Sequence, residues 1–206
     1  DSLKPSGIKF NIQRITERKY YVKRTFISIP IPSRVLGIKQ MLVSTFEDPS
    51  EINWVKNIHL HLTLKFLGDT KDESVDKIND ILAKIAKSVV PENLMIANTG
   101  CFPDSERPTV LWMGIEGKTD YLVNLVNAIN SQLKSIGIPS DEDPYTPHIT
   151  IARIKYTDKK PPDAKIFLQS KYDGIALNIN QMQFISSELS QDGPIYHILG
   201  SHSFGA

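Results

Sequence analysis

Two stretches decide how this chain is read: Ile58-His-Leu-His-Leu-Thr-Leu-Lys-Phe-Leu-Gly68 and Pro147-His-Ile-Thr-Ile-Ala-Arg153. Each contains His-x-Thr-x with apolar residues at x, as His61-Leu-Thr63-Leu and His148-Ile-Thr150-Ile. In extended backbone successive side chains alternate between faces, so each copy sends a His and a Thr to one side and its aliphatic residues to the other. The copies lie 87 positions apart (148 minus 61). Two such strands set side by side would present two imidazoles and two hydroxyls to one cleft.

That set of groups suits a phosphodiester. Histidine has an unperturbed pKa of about 6.5, so one copy can accept a proton while the other donates one. The threonines, two residues on and facing the same way, can donate to phosphate oxygens whose charge grows in the transition state. The simpler account of each residue, a structural His and a β-prone Thr, does not explain why two of only five histidines fall in the same pattern.

The neighbours narrow the chemistry. By alternation His59, Thr63 and Lys65 share the face of His61, and His59-x-His61 raises the question of zinc. A metallohydrolase would need further His or carboxylate ligands, whereas Thr63 and Lys65 come next, so no metal and no cofactor are expected. His59 reads as a strand residue at the edge of the cleft and Lys65 as a solvated strand lysine. Arg153, five residues after His148, points away under strict alternation; a bulge or the end of the strand would let it swing back as a phosphate clamp, and otherwise it is a surface arginine. His197 and His202 lack a partner pattern and read as surface or structural; Cys101 reads as a buried small thiol. Phosphate-binding glycine loops and a nucleophile elbow are absent from the sequence.

The 206 residues are 40% hydrophobic and 23% charged, which suits a globular protein with one sizeable core. No apolar run approaches the roughly 20 residues that cross a bilayer, so no membrane association is expected. A single cysteine and no recognisable signal peptide point to the cytoplasm. The net charge of +1 conceals an asymmetry: Lys4, Lys9, Arg14, Arg18, Lys19, Lys23 and Arg24 against Asp1 and Glu17 give residues 1–24 a charge of +5, leaving −4 on the rest. Residues 1–23 therefore read as a basic extension, suited to nucleic-acid phosphates or simply to solvent, before a single domain over 24–206.

Along the chain, Tyr20 to Ile29 reads as a strand stopped by Pro30-Ile-Pro32, and Ser33 as the cap of a helix to about Phe46. Trp54-Val55 leads into the first motif strand, which ends at Gly68. Thr70-Lys-Asp-Glu73 resembles a capping box, with Val75, Ile78, Leu82 and Ile85 following at helical spacing. A second lobe is expected from Pro91, with strands at 93–98 and 109–115. Leu122, Leu125, Val126, Ile129, Leu133 and Ile136 form the clearest amphipathic helix, ended by Gly137. The acidic loop 140–147 enters the second motif; an exposed loop spans 157–163, and strands follow at 165–169, 175–187 and 194–199. The class is α+β, with each motif on a strand and one long helix per lobe.

The chain resembles the two-histidine phosphoesterases and, within them, the LigT-like RNA 2′,3′-cyclic phosphodiesterases formerly described as 2′-5′ RNA ligases. Besides the two motifs, the resemblance rests on Arg24-Thr-Phe26-Ile-Ser-Ile-Pro, Gly100-Cys-Phe-Pro103, Arg107-Pro-Thr-Val-Leu-Trp112-Met-Gly114, Ser187-Glu-Leu189 and Gly193-Pro-Ile-Tyr196. It spans about residues 24 to 200 in family order. It implies a bilobal fold of two antiparallel sheets, each backed by helices, with a motif from each lobe facing a central cleft. It also implies metal-independent hydrolysis of an RNA terminal 2′,3′-cyclic phosphate to a 2′-phosphate. In that scheme His61 is the proton donor, His148 the proton acceptor, Thr63 and Thr150 hold phosphate oxygens, Arg153 adds charge and Phe26 offers a surface for the terminal base. The implied partner is RNA with cyclic-phosphate ends, tRNA fragments among the possibilities, handled by a monomer. Two alternatives stay open: a non-catalytic nucleotide or RNA-end binding module of the same fold, or a phosphodiesterase acting on another small cyclic phosphate.

Overall fold

The aliphatic and aromatic run after Arg24 becomes a strand buried on both faces, because β1 (Val22–Pro30) sits inside a sheet with Thr25 to Ile29 all buried. In the computed structural model, which describes residues 22–156, 162–191 and 193–205, β1 is followed by α1 (Val35–Val43), β2 (Asn53–Trp54), β3 (His61–Lys71) and α2 (Asp72–Ser88). Next come β4 (Glu92–Phe102), β5 (Val110–Glu116), α3 (Asp120–Lys134), β6 (His148–Arg153), α4 (Lys165–Gln169), β7 (Ile175–Ile179), β8 (Gln181–Ser190) and β9 (Gly193–Ser203). The expected basic extension lies outside the described residues except for Val22 and Lys23, which open β1. Most of the expected loop 157–163 lies outside them too.

Two antiparallel sheets result. One has the order β3-β1-β8-β9, the other β2-β6-β5-β4-β7. Pro91 does not mark the start of the second sheet: it precedes β4, but β2 already belongs to that sheet, and β8 and β9 return to the first, so each sheet draws on both halves of the chain. Helix α2 lies against β9, β3 and β8, α3 touches α2 and β3, and α4 rests on β4. Ile78, Leu82 and Ile85 of α2 and Leu122, Leu125, Val126, Ile129 and Leu133 of α3 are buried, as their helical spacing requires. Each such side chain removed from water stabilises the fold by about 1.5–3 kcal/mol, and they join one continuous core spanning both sheets.

Several local readings are corrected. Ser33 does not cap α1: Arg34 occupies the N-cap without a side-chain bond, and the helix stops at Val43. Thr70 does not cap α2, because it is the buried penultimate residue of β3 and its hydroxyl pairs with that of Thr25 at 2.7 Å. The expected strand at 165–169 is the short helix α4, an apolar run too brief for its period to decide. Trp54 does not lead into β3. It pairs with Ala152 of β6, and Val55 N–H donates to the carbonyl of Ile151 at 2.9 Å, so the segment before the first motif is fastened to the strand of the second.

Candidate active site

β3 and β6 carry the two motifs and approach each other across the sheets. They share an irregularity. On β3, Thr63 pairs with Ser28 and Lys65 with Ile27, leaving Leu64 as an extra residue; on β6, Thr150 pairs with Trp112 and Ala152 with Leu111, leaving Ile151 extra. A bulge of this kind points two successive residues the same way and reverses the alternation after it. The burial patterns agree position by position: His, Thr and the sixth residue (Phe66 or Arg153) reach the open side, while Leu62, Leu64 and Lys65, or Ile149, Ile151 and Ala152, are buried. The bulge therefore brings Arg153 to the same face as His148 and Thr150.

The two histidines are anchored alike. His61 Nδ1 lies 2.7 Å from the carbonyl oxygen of His59, and His148 Nδ1 lies 2.7 Å from that of Thr146. A carbonyl only accepts, so each Nδ1 carries the proton and Nε2 is left for the cleft. Phe26 stacks on His61 at a centroid distance of 4.7 Å, and Phe102 meets His148 edge-on at 5.0 Å. Burial lowers both pKa values from the ordinary 6.5. For His61 the bond to the His59 carbonyl works the other way, and the charges of His59 and Arg153 lower it further. His148 is likewise raised by its bond to Thr146 and lowered by Arg153; burial pushes the Tyr196 hydroxyl up, and the same Arg153 charge partly opposes that rise. One guanidinium thus acts on groups from both sheets.

Directly across from the motif threonines sit two polar groups that lack a hydrogen-bond partner among the described residues: the hydroxyl of Ser28, opposite Thr63, and the indole N–H of Trp112, opposite Thr150. The Trp112 indole lies on Gly100, where a Cβ would come within 2.1 Å of the ring. The same ring approaches Phe102 and His148, at 5.4 and 6.2 Å between ring centroids. Beside the motifs opens a cavity of about 1020 Å³. Thr63, Lys65, Phe66, Phe102 and His148 line one part of it, and α3 and the 141–146 loop line the rest. Tyr145 donates its hydroxyl to the Thr63 carbonyl at 2.8 Å, and Lys65 Nζ meets Asp141 Oδ2 at 3.0 Å, so the loop that delivers His148 is tied to the strand of His61.

His61, Thr63, His148, Thr150 and Arg153 therefore reach the open face of their strands. Others differ from expectation. Phe26 is only 4% exposed, with His61 stacked upon it and Tyr196 at its edge, so its ring supports the histidine and is not open to a base. His59 is not a strand residue but ends the 3₁₀ turn Asn57–His59, buried against Tyr196 at 4.5 Å. Lys65 is not a solvated lysine: the bulge turns it inward, and its side chain is 1% exposed. His197 is exposed beside Glu188, and His202 bonds Asn79 at 3.0 Å. Cys101 is half-buried. Tyr196, Trp112 and Asp141 also stand beside these groups, a placement their own sequence neighbourhoods do not specify. A bulky Trp facing Gly100 in the strand pairing was the available signal for one of them. Among the described residues no group of three or more His, Cys, Asp or Glu side chains is placed to hold a metal ion, and no helix is long and apolar enough to cross a membrane.

Twin histidines on matched strands of two antiparallel sheets define a two-histidine phosphoesterase, and comparison with known proteins agrees. The chain belongs to the AKAP7 2'5' RNA ligase-like domain family, which residues 20–204 match. It is 33% identical over 156 residues, 74% of this chain and 81% of the relative, to the RNA 2',3'-cyclic phosphodiesterase of Aquifex aeolicus. It is 29% identical to the protein of that name from Thermotoga maritima, covering 85% of this chain and 92% of the relative. Among solved structures, TT0787 of Thermus thermophilus superposes with a TM-score of 0.73 at 24% identity, covering 88% of this chain and 98% of that one. E. coli LigT complexed with 3'-AMP superposes at 0.70 and 21%, covering 90% and 100%. At these identities the structural likenesses establish the shared fold.

Proposed function

We propose that this protein hydrolyses the terminal 2′,3′-cyclic phosphate of RNA to a 2′-phosphate, without a metal, by acid-base catalysis between His61 and His148. The observation that carries the reading is the matched anchoring of both imidazoles, each with Nδ1 committed to a backbone carbonyl and Nε2 left over. The names of the relatives support the choice of substrate.

Neutral His148 takes a proton from water as its oxygen attacks phosphorus. The P–O3′ bond breaks, and charged His61 gives its proton to the departing O3′, leaving a 3′-hydroxyl and a 2′-phosphate. Each role is typically worth 10²- to 10⁴-fold. Thr63 and Thr150 donate to the non-bridging oxygens, and Arg153 offsets the growing negative charge. The anionic substrate raises the depressed pKa of His61 on binding, which readies it as the acid.

The test is to incubate RNA ending in a 2′,3′-cyclic phosphate with the protein in EDTA and identify the product. A 2′-phosphate is expected, with roughly 10²- to 10⁴-fold slower formation in His61→Ala and in His148→Ala. A 3′-phosphate product, strict dependence on added metal, or binding without turnover would each overturn the proposal.

A further inference from the structure

Helix α1 buries Val35, Lys39 and Leu42, the stripe that faces the core, and the middle member of that stripe is a lysine. Lys39 is only 7% exposed. Burial holds its ammonium below the ordinary pKa of 10.5, and no neighbouring charge acts to restore it. A buried charge without a counter-charge costs stability that an aliphatic side chain of the same length would not. The core by itself therefore gives no reason for a lysine at this position, and what its amine holds does.

Lys39 Nζ donates to the Val55 carbonyl and, at 2.9 Å, to Asn57 Oδ1. Both acceptors lie on the segment that enters the first motif. Val55 is held at its other side as well, where its N–H donates to the Ile151 carbonyl of β6. Asn57 opens the 3₁₀ turn Asn57–His59, whose N-cap, Lys56, makes no side-chain capping bond. Two residues on (59 minus 57) is the carbonyl that receives the Nδ1–H of His61 at 2.7 Å. The bonds of one buried amine thus set the start of the turn whose end sets the tautomer of His61. His148 is supported from elsewhere: its carbonyl belongs to Thr146, on the loop that Tyr145 ties to β3.

We propose that Lys39 is a positioning residue for the catalytic acid: its amine fixes Val55 and Asn57 and, through the 3₁₀ turn, the His59 carbonyl that sets the tautomer and direction of His61. The inference rests on the activity proposed above, which makes His61 the acid. A side chain on α1 thereby governs one imidazole and leaves its twin alone. Proton transfer needs Nε2 aimed at the departing oxygen, and a displacement of about 1 Å can cost roughly 10²-fold in rate.

The experiment compares the wild-type protein with Lys39→Met, which keeps a stem of similar length and removes the donors. Nitrogen-15 NMR of the imidazoles, at a pH where both are neutral, reads the tautomers directly. In wild type both His61 and His148 should hold the proton on Nδ1; in Lys39→Met, His61 should become a mixture of tautomers while His148 keeps its form. On adenosine 2′,3′-cyclic phosphate kcat should fall about 10²-fold with KM little changed. Asn57→Ala, a change at an exposed side chain, should move His61 in the same direction, and it decides the matter if Lys39→Met does not fold. An unchanged His61 tautomer, the same change at both histidines, or a loss carried by KM with kcat kept would overturn the assignment. Should the wild-type protein hydrolyse no cyclic phosphate, the proposed activity fails by itself, and the NMR comparison still decides what Lys39 holds.

Discussion

His61 and His148 are held by the same device, an Nδ1–H to a carbonyl two residues back at 2.7 Å in each case, although one carbonyl belongs to a 3₁₀ turn and the other to a long loop. What distinguishes them is their surroundings. His61 has a second imidazole, His59, as a titratable neighbour whose protonation lowers it, and His148 does not.

That difference has a pH signature. Activity on free substrate needs His148 neutral and His61 charged, so it falls at low pH as His148 gains a proton and at high pH as His61 loses one. Both pKa values are lowered from 6.5, so the kcat/KM profile should peak below that value. In His59→Gln the imidazole whose charge lowers His61 is gone, and the alkaline limb should move to higher pH. A profile unchanged in that variant would show that His59 does not act on His61.

Gly100 leaves space for the Trp112 ring. Gly100→Ala would place a Cβ within 2.1 Å of it, displacing the indole from beside Phe102 and His148. We expect a loss of about 1–3 kcal/mol in urea unfolding, as overpacking usually produces, together with a lower kcat. Both effects should shrink when the same change is made in a Trp112→Leu background, because the two residues are in contact.

The Lys65–Asp141 pair is lopsided, with side chains 1% and 46% exposed. Asp141→Asn leaves a buried ammonium facing a neutral amide and should cost about 1–3 kcal/mol. Lys65→Met removes the buried charge altogether and should cost less than Asp141→Asn. The reverse order in urea titrations would contradict the burial argument.

Deleting residues 1–19 removes five basic and two acidic groups. If this segment contacts RNA, binding to long RNA should weaken and its dependence on salt flatten. Hydrolysis of a short cyclic-phosphate substrate should be unaffected. Equal salt slopes before and after deletion would exclude the contact.

Much of this architecture is legible in the sequence where a period is long or a motif repeats. The spacing of Leu122 to Leu133 specifies α3, and the alternation around His61 and His148 specifies their strands. What escapes is decided by partners distant in the chain. Thr70 looks like a helix cap until Thr25 claims its hydroxyl. The bulges at Leu64 and Ile151 follow from pairing with β1 and β5, and with them come the inward turn of Lys65 and the outward turn of Phe66 and Arg153. Phe26 carries nothing in its own neighbourhood to say that His61 will cover it.

The attachment of Val55 to Ile151 makes the two halves of the cleft near neighbours along the backbone as well as across it. From that bond to His61 is a leash of six residues (61 minus 55), at most about 20 Å long when fully drawn. The gauge between the catalytic strands is thus limited by a short length of chain that contains neither motif, and lengthening that leash would loosen the pairing of acid and base while leaving every reacting group in place.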